Sequence, residues 1–179
     1  MRIEQTHFLP FPRRRVWAAL LDPEVLGRVL PGIEKFESRG GDRYDIVVKL
    51  GVASVKGTYA GSVEIADKSE PDSYRLRGEG KGAPGWAKGD AVIALTEEGN
   101  GTRIKATGSV QVGGTIAGVG QRMMDSVTKA MAKEFFGAIE REVAGQKQKV
   151  STVGFGLRVL LTLIRDLFAR LFGHATARA

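Results

Sequence analysis

The chain has 179 residues, 24 of them glycine, no cysteine, and a formal net charge of +7. That length fits one domain with a short appendage, and the lack of cysteine excludes disulfides, zinc–thiolate sites and a cysteine nucleophile. Residues 147–179 carry six basic side chains and one acid, leaving +2 for residues 1–146; a nearly neutral body argues against nucleic acid as a partner, and a basic tail suits an anionic membrane surface.

The first ten residues include Arg2 and Glu4 and no apolar run, so no secretory signal is expected. Ile3, Gln5, His7 and Leu9 alternate with polar neighbours and predict a strand. Pro12 opens a short helix with Val16, Trp17, Leu20 and Leu21 on its apolar side, and Asp22-Pro23 ends it. A second short helix carries Val25, Leu26 and Val29. Strands are expected near residues 33–39 and 43–50, joined by the hairpin signal Gly40-Gly41-Asp42. Four more follow near 53–66, 73–80, 86–97 and 102–112, punctuated by turn residues such as Glu70-Pro71-Asp72 and Gly99-Asn100-Gly101. A long helix over 115–143 is predicted from the apolar stripe Ile116, Val119, Met123, Met124, Val127, Met131, Phe135 and Ile139.

This order predicts an α+β fold: a curved antiparallel sheet of about seven strands wrapped around one long helix. The alternation fixes which residues point inward, and many of them are small. The inner register reads Val55, Gly57, Tyr59, Gly61, Val63, Ile65 on one strand and Tyr74, Leu76, Gly78, Gly80 on the next. It continues as Ala87, Gly89, Ala91, Ile93, Leu95 and then Ile104, Ala106, Gly108, Val110, Val112. Interiors normally pack to crystal-like density. Absent side chains therefore mean that the helix comes very close, that strands bulge, or that space is kept for an apolar guest; the set as a whole favours the hollow.

Several motifs carry a resemblance: Pro12-Arg-Arg-Arg-Val-Trp17, Leu30-Pro31-Gly32, Val55-Lys56-Gly57-Thr58-Tyr59-Ala60-Gly61, Gly78-Glu79-Gly80-Lys81-Gly82, Ala87-Lys88-Gly89, and Gly113-Gly114 leading into Gly120-Gln121-Arg122. In these, residues 1–143 resemble the carbon monoxide dehydrogenase G-subunit family of the START-like (SRPBCC, helix-grip) superfamily. The resemblance implies a helix-grip domain with an apolar cavity over 1–144. It further implies a link to a molybdenum-containing carbon monoxide dehydrogenase, as a membrane recruiter of that enzyme or as a carrier of a quinone, menaquinone or ubiquinone. His7 departs from the family's usual aromatic or aliphatic residue.

The candidate ligand-binding residues are Tyr44, Val48, Tyr59, Leu76, Gly78, Trp86, Ile93, Met123, Met124, Val127, Met131 and His7. Tyrosine hydroxyls in an otherwise apolar lining can orient a guest that offers carbonyl acceptors, although each could instead bond to backbone or reach the surface. Methionines adapt to irregular guests but at helical spacing are more often plain core. Trp86 stands either at the pocket mouth or out of register on the rim. No catalytic or metal-ligating set appears among the motifs, and titratable groups are scarce in the inner register, so the chain is read as a non-enzyme rather than a cyclase-like enzyme.

A polar linker is expected over 145–152 and an amphipathic helix over 153–173. Leu157, Leu161, Ile164, Phe168, Leu171 and Phe172, flanked by Arg158, Arg165 and Arg170, are its candidate membrane-binding residues. The longest charge-free run inside that segment is far short of the ~20 apolar residues a span requires. The expected location is therefore peripheral, on the inner face of the cell membrane. Docking of this segment on protein is the alternative.

Overall fold

The computed structural model describes residues 1–51 and 55–146. The expected linker beyond 146 and the amphipathic segment lie outside them. The elements run β1 (Arg2–Leu9), α1 (Arg13–Leu21), α2 (Pro23–Val29), β2 (Ile33–Gly40), β3 (Arg43–Leu50), β4 (Gly57–Ser69), β5 (Ser73–Gly82), β6 (Gly85–Glu98), β7 (Gly101–Gly114), a 3₁₀ turn (Thr115–Val119) and α3 (Gln121–Val143). The seven strands form one antiparallel sheet in the order β1-β7-β6-β5-β4-β3-β2. The single crossover is the one that carries α1 and α2 from β1 to the far edge.

Local chemistry explains the element ends. Pro23 opens α2, and the Asp22 carboxylate caps it by accepting from the N–H groups of Glu24 (2.8 Å) and Val25 (3.4 Å). The expected single helix over 115–143 is broken: Gly114 and Gly120 hold φ of 82° and 80°. Such angles are foreign to an α-helix but open to glycine, so Thr115–Val119 forms a separate 3₁₀ turn. The strand expected near 53–66 begins at Gly57 and runs on to Ser69.

The core divides in two. The larger cluster packs α1, α2 and the C-terminal half of α3 against one end of the sheet, with Leu9, Val16, Val29, Leu95, Ile104 and Ile139 fully buried. Here Tyr74 meets Trp17 edge-on at 5.7 Å. The smaller cluster, at the other end, buries only Val55, Ile116 and Val127. Arg15 donates to the Val143 carbonyl and Arg28 pairs with Glu142, fastening the end of α3 to α1 and α2.

Candidate functional site: the inner face between two cores

Burial alternates along the central strands as the sequence register predicts, with Tyr59, Gly61, Val63, Ile65, Leu76, Gly78, Gly80, Ala87, Gly89, Ala91 and Ile93 on the inner face. Between the two clusters this face carries a band of small residues. Gly61 lies opposite Gly80, Gly78 opposite Gly89, and Ala91 opposite Gly108.

The glycines of the band are of two kinds. At Gly61, Gly89 and Gly108 an added Cβ would lie 1.9, 2.6 and 2.1 Å from a backbone oxygen of the neighbouring strand; these positions are small because strand meets strand. At Gly78 and Gly80 the nearest atoms would be 3.7 Å away, an ordinary contact. Only β4 atoms lie within 4 Å of the Cβ positions at Gly78 and Gly80, so α3 does not press on these two glycines. The close backbone approaches of α3 are to α1, α2 and β1. The inner face at Gly78 and Gly80 thus has room for a side chain, and it lies along the sheet between the larger core cluster and the smaller one.

The expected ligand residues distribute around this space unequally. Gly78 faces it directly, and half-buried Val48 faces inward between Ile33 and Tyr59. Leu76 and Ile93 edge the larger cluster, whereas Met124, Val127 and Met131 belong to the smaller one, with Met123 half-buried beside them. Tyr44 is buried in the larger cluster and stacks on Phe36 at 4.7 Å. The Tyr59 hydroxyl donates to the Val55 carbonyl at 2.9 Å, so one of its bonds is already taken within the protein. Burial pushes the ionisation of Tyr59 and, far more, of Tyr74 upward, so both remain neutral phenols at ordinary pH.

Trp86 is a correction. It points to the outer face, is 42% exposed and lies over Gly113, because the alternation that sends Ala87 inward sends its neighbour out. It does not line the hollow.

His7 points inward and lies flat on Phe136, with ring centroids 4.8 Å apart. Burial lowers its basicity, an effect partly offset by the Glu140 carboxylate. Phe136 escaped the sequence reading. The apolar stripe passes through Phe135, whereas its neighbour Phe136 is buried in the larger cluster against His7 of β1. Gln5 was also overlooked as a lining residue. It is inward and half-buried opposite Ala106, and the alternation of β1 already marked it.

The outer face offers a contrasting surface. A groove of about 810 Å³ crosses β3–β7 and is lined by charged side chains already paired with one another, such as Arg43 with Glu64 and Lys88 with Glu79. Its side chains are mostly charged, although Tyr44 and Val63 also border it. Among the described residues no group of His, Asp and Glu could hold a metal ion, and no helix is long and apolar enough to cross a membrane.

This arrangement, a helix held against a seven-stranded antiparallel sheet around an inner space, defines the START-like helix-grip class. The family described as the G subunit of carbon monoxide dehydrogenase (CoxG) matches residues 9–144, and the chain belongs to it. No curated protein matches the chain. A conserved protein from Geobacillus kaustophilus is 33% identical, with a TM-score of 0.79 over 83% of this chain and 98% of its own. A START superfamily protein from Mycobacterium smegmatis shares the fold at 12% identity and a TM-score of 0.61, covering 82% of this chain and 99% of its own. A protein from Thermus thermophilus does so at 21% identity and 0.60, over 83% and 100%.

Proposed function

We propose that this protein is a non-enzymatic carrier. It takes an isoprenoid quinone, menaquinone or ubiquinone, or a similar lipid into the hollow between its two cores and presents it to a molybdenum-containing carbon monoxide dehydrogenase. Residues 153–173 hold it on the inner face of the cell membrane. The observation that carries the reading is the band at Gly78 and Gly80, which no helix atom fills. A mostly apolar space with a few polar groups at its edge is the usual form of a small-molecule site. The proposed lining is Leu76, Ile93, Val48, Met124 and Met131, which border the two clusters or face inward, with Gln5 and His7 as the polar groups along β1. Membership of the family supports the enzyme as partner. The basic, Leu- and Phe-rich composition of 153–173 supports the membrane role.

The test is native mass spectrometry of the purified full chain, followed by organic extraction and identification of the bound species. A stoichiometric quinone is the expected result. A protein that is empty and takes up no added quinone, yet binds the dehydrogenase, overturns the carrier and leaves a recruitment or assembly factor.

A further inference from the structure

The ends of the domain differ in how their charges are treated. At the end closed by the larger cluster, cations have carboxylate partners: Arg13 with Asp72 and Glu97, Arg14 with Glu70, Arg103 with Glu98 and Lys68 with Asp42. At the opposite end Lys49 and Lys88 pair with Glu34 and Glu79, but Lys56, Lys81 and Arg122 are exposed and have no ion-pair partner among the described residues. Three contacts bring them to the same end. Lys56 precedes Gly57, whose Cβ would touch Pro84 at 2.9 Å. Lys81 lies directly opposite Trp86 across β5 and β6. Arg122 opens α3 just beyond the 3₁₀ turn, which bonds to the Pro84 carbonyl through the Ile116 N–H at 3.1 Å. The apolar side chains at this end are incompletely covered: Leu50, Val119 and Met124 are half-buried, and Trp86 is among the few large apolar residues that are exposed.

We infer that this end of the folded body is itself a membrane-docking surface, which sets the thinly closed end of the hollow against an anionic lipid bilayer. The inference rests on the carrier reading and adds an orientation to it. An apolar patch ringed by unpaired cations matches the two attractions an anionic bilayer offers, burial at the acyl boundary and the negative surface potential. Tryptophan prefers the depth at which headgroups meet acyl chains. A protein partner with a matching acidic rim is the alternative that the experiment excludes or supports.

The chain contains its own probe. It has two tryptophans, and neither lies in residues 147–179. Trp17 is 6% exposed inside the larger cluster, so quenching from the bilayer reports on Trp86. The full chain is mixed with vesicles of phosphatidylcholine and phosphatidylglycerol, with and without bromine on the upper acyl chain, and vesicle binding is read separately by sedimentation. The expected result is quenching of about half of the Trp86 emission, absent in W86F. Each of K56Q, K81Q and R122Q should weaken the quenching contact by roughly fivefold, and R14Q at the paired end should not.

Sedimentation without quenching overturns the inference and leaves both the tail anchor and the carrier standing. Quenching that is indifferent to K56Q/K81Q/R122Q overturns the electrostatic docking. No sedimentation at all overturns the inference together with the membrane anchor, while quinone extraction still judges the carrier.

Discussion

Gly61 and Glu79 stand so close across β4 and β5 that a methyl on Gly61 would lie 1.9 Å from the Glu79 carbonyl oxygen. That oxygen belongs to backbone and cannot swing aside, so either the strands separate or the substitution is not accommodated. G61A and G108A are each expected to destabilise the domain by about 2–3 kcal/mol, the range for forcing extra volume into packed structure. Urea unfolding gives the value, and a change under about 0.5 kcal/mol at both sites, the level of an ordinary surface substitution, would show that the strands yield easily.

Gly78 and Gly80 should behave oppositely. A Cβ added at either position meets nothing nearer than 3.7 Å and lies on the inner face. G78V and G80V are expected to hold stability within about 1 kcal/mol of the parent, since losing glycine's freedom in the unfolded chain offsets small clashes. Quinone uptake should be lost in both. Retained stoichiometric uptake in G78V would place the guest elsewhere.

The contrast shows where the sequence could be read and where it could not. Alternation along β4–β7 revealed which residues face inward, and turn glycines with prolines marked the hairpins, because both signals are local. Whether an inward glycine is small for its neighbour strand or for a guest depends on distances between strands, and no pattern within one strand encodes these. Trp86 shows the same limit: an aromatic beside a turn looked like a mouth residue, yet its parity had already sent it outward. Phe136 was hidden because its partner, His7 on β1, is far away in sequence and no pattern within α3 encodes that contact. The break at Gly120 was partly visible as Gly113-Gly114 and Gly120 bracketing the short stretch between them.

His7 makes stability sensitive to acid. Its imidazole faces the Phe136 ring and the Glu140 carboxylate, and burial places its basicity below the ordinary value of 6.5. The unfolded chain therefore binds the proton more readily than the folded one. The stabilising effect of the neutral imidazole is complete above about pH 6.5 and is lost as the pH falls from there through the lower folded value. Thermal melts of the parent should decline below that pH, and H7F, which keeps the stack without the proton site, should lose that part of the slope. An H7F melt profile with the same slope between about pH 7 and 5 would assign the acid sensitivity to other groups.

Glu142 and Arg28 hold the last turn of α3, and their exposures are unequal: 6% for the carboxylate side chain and 26% for the guanidinium. Removing the cation leaves the more buried charge alone, whereas removing the carboxylate leaves a cation that can reach water. R28A is therefore expected to cost more than E142A, about 2 kcal/mol against about 1, on the scale of a partly buried pair losing one partner. The order of the two midpoints in urea is the test, and equal losses would mean that both ends of the pair are solvated.

The 3₁₀ turn covers the smaller core cluster. It hangs between Gly114 and Gly120, both at positive φ, and is secured by one buried side chain, Ile116, which packs with Val55 and Val127, and by the Ile116 N–H bond to the Pro84 carbonyl. A guest as wide as a quinone ring entering at this end must displace that side chain, because the larger cluster closes the other end with far more buried surface. I116A is expected to cost about 2 kcal/mol, toward the lower end for a large-to-small core change since so small a cluster can relax around the gap. The same truncation should speed quinone exchange several-fold in stopped-flow transfer from vesicles, with little change in equilibrium uptake, because the barrier is lowered more than the bound state is altered. Destabilisation without faster exchange would mean that the guest enters elsewhere.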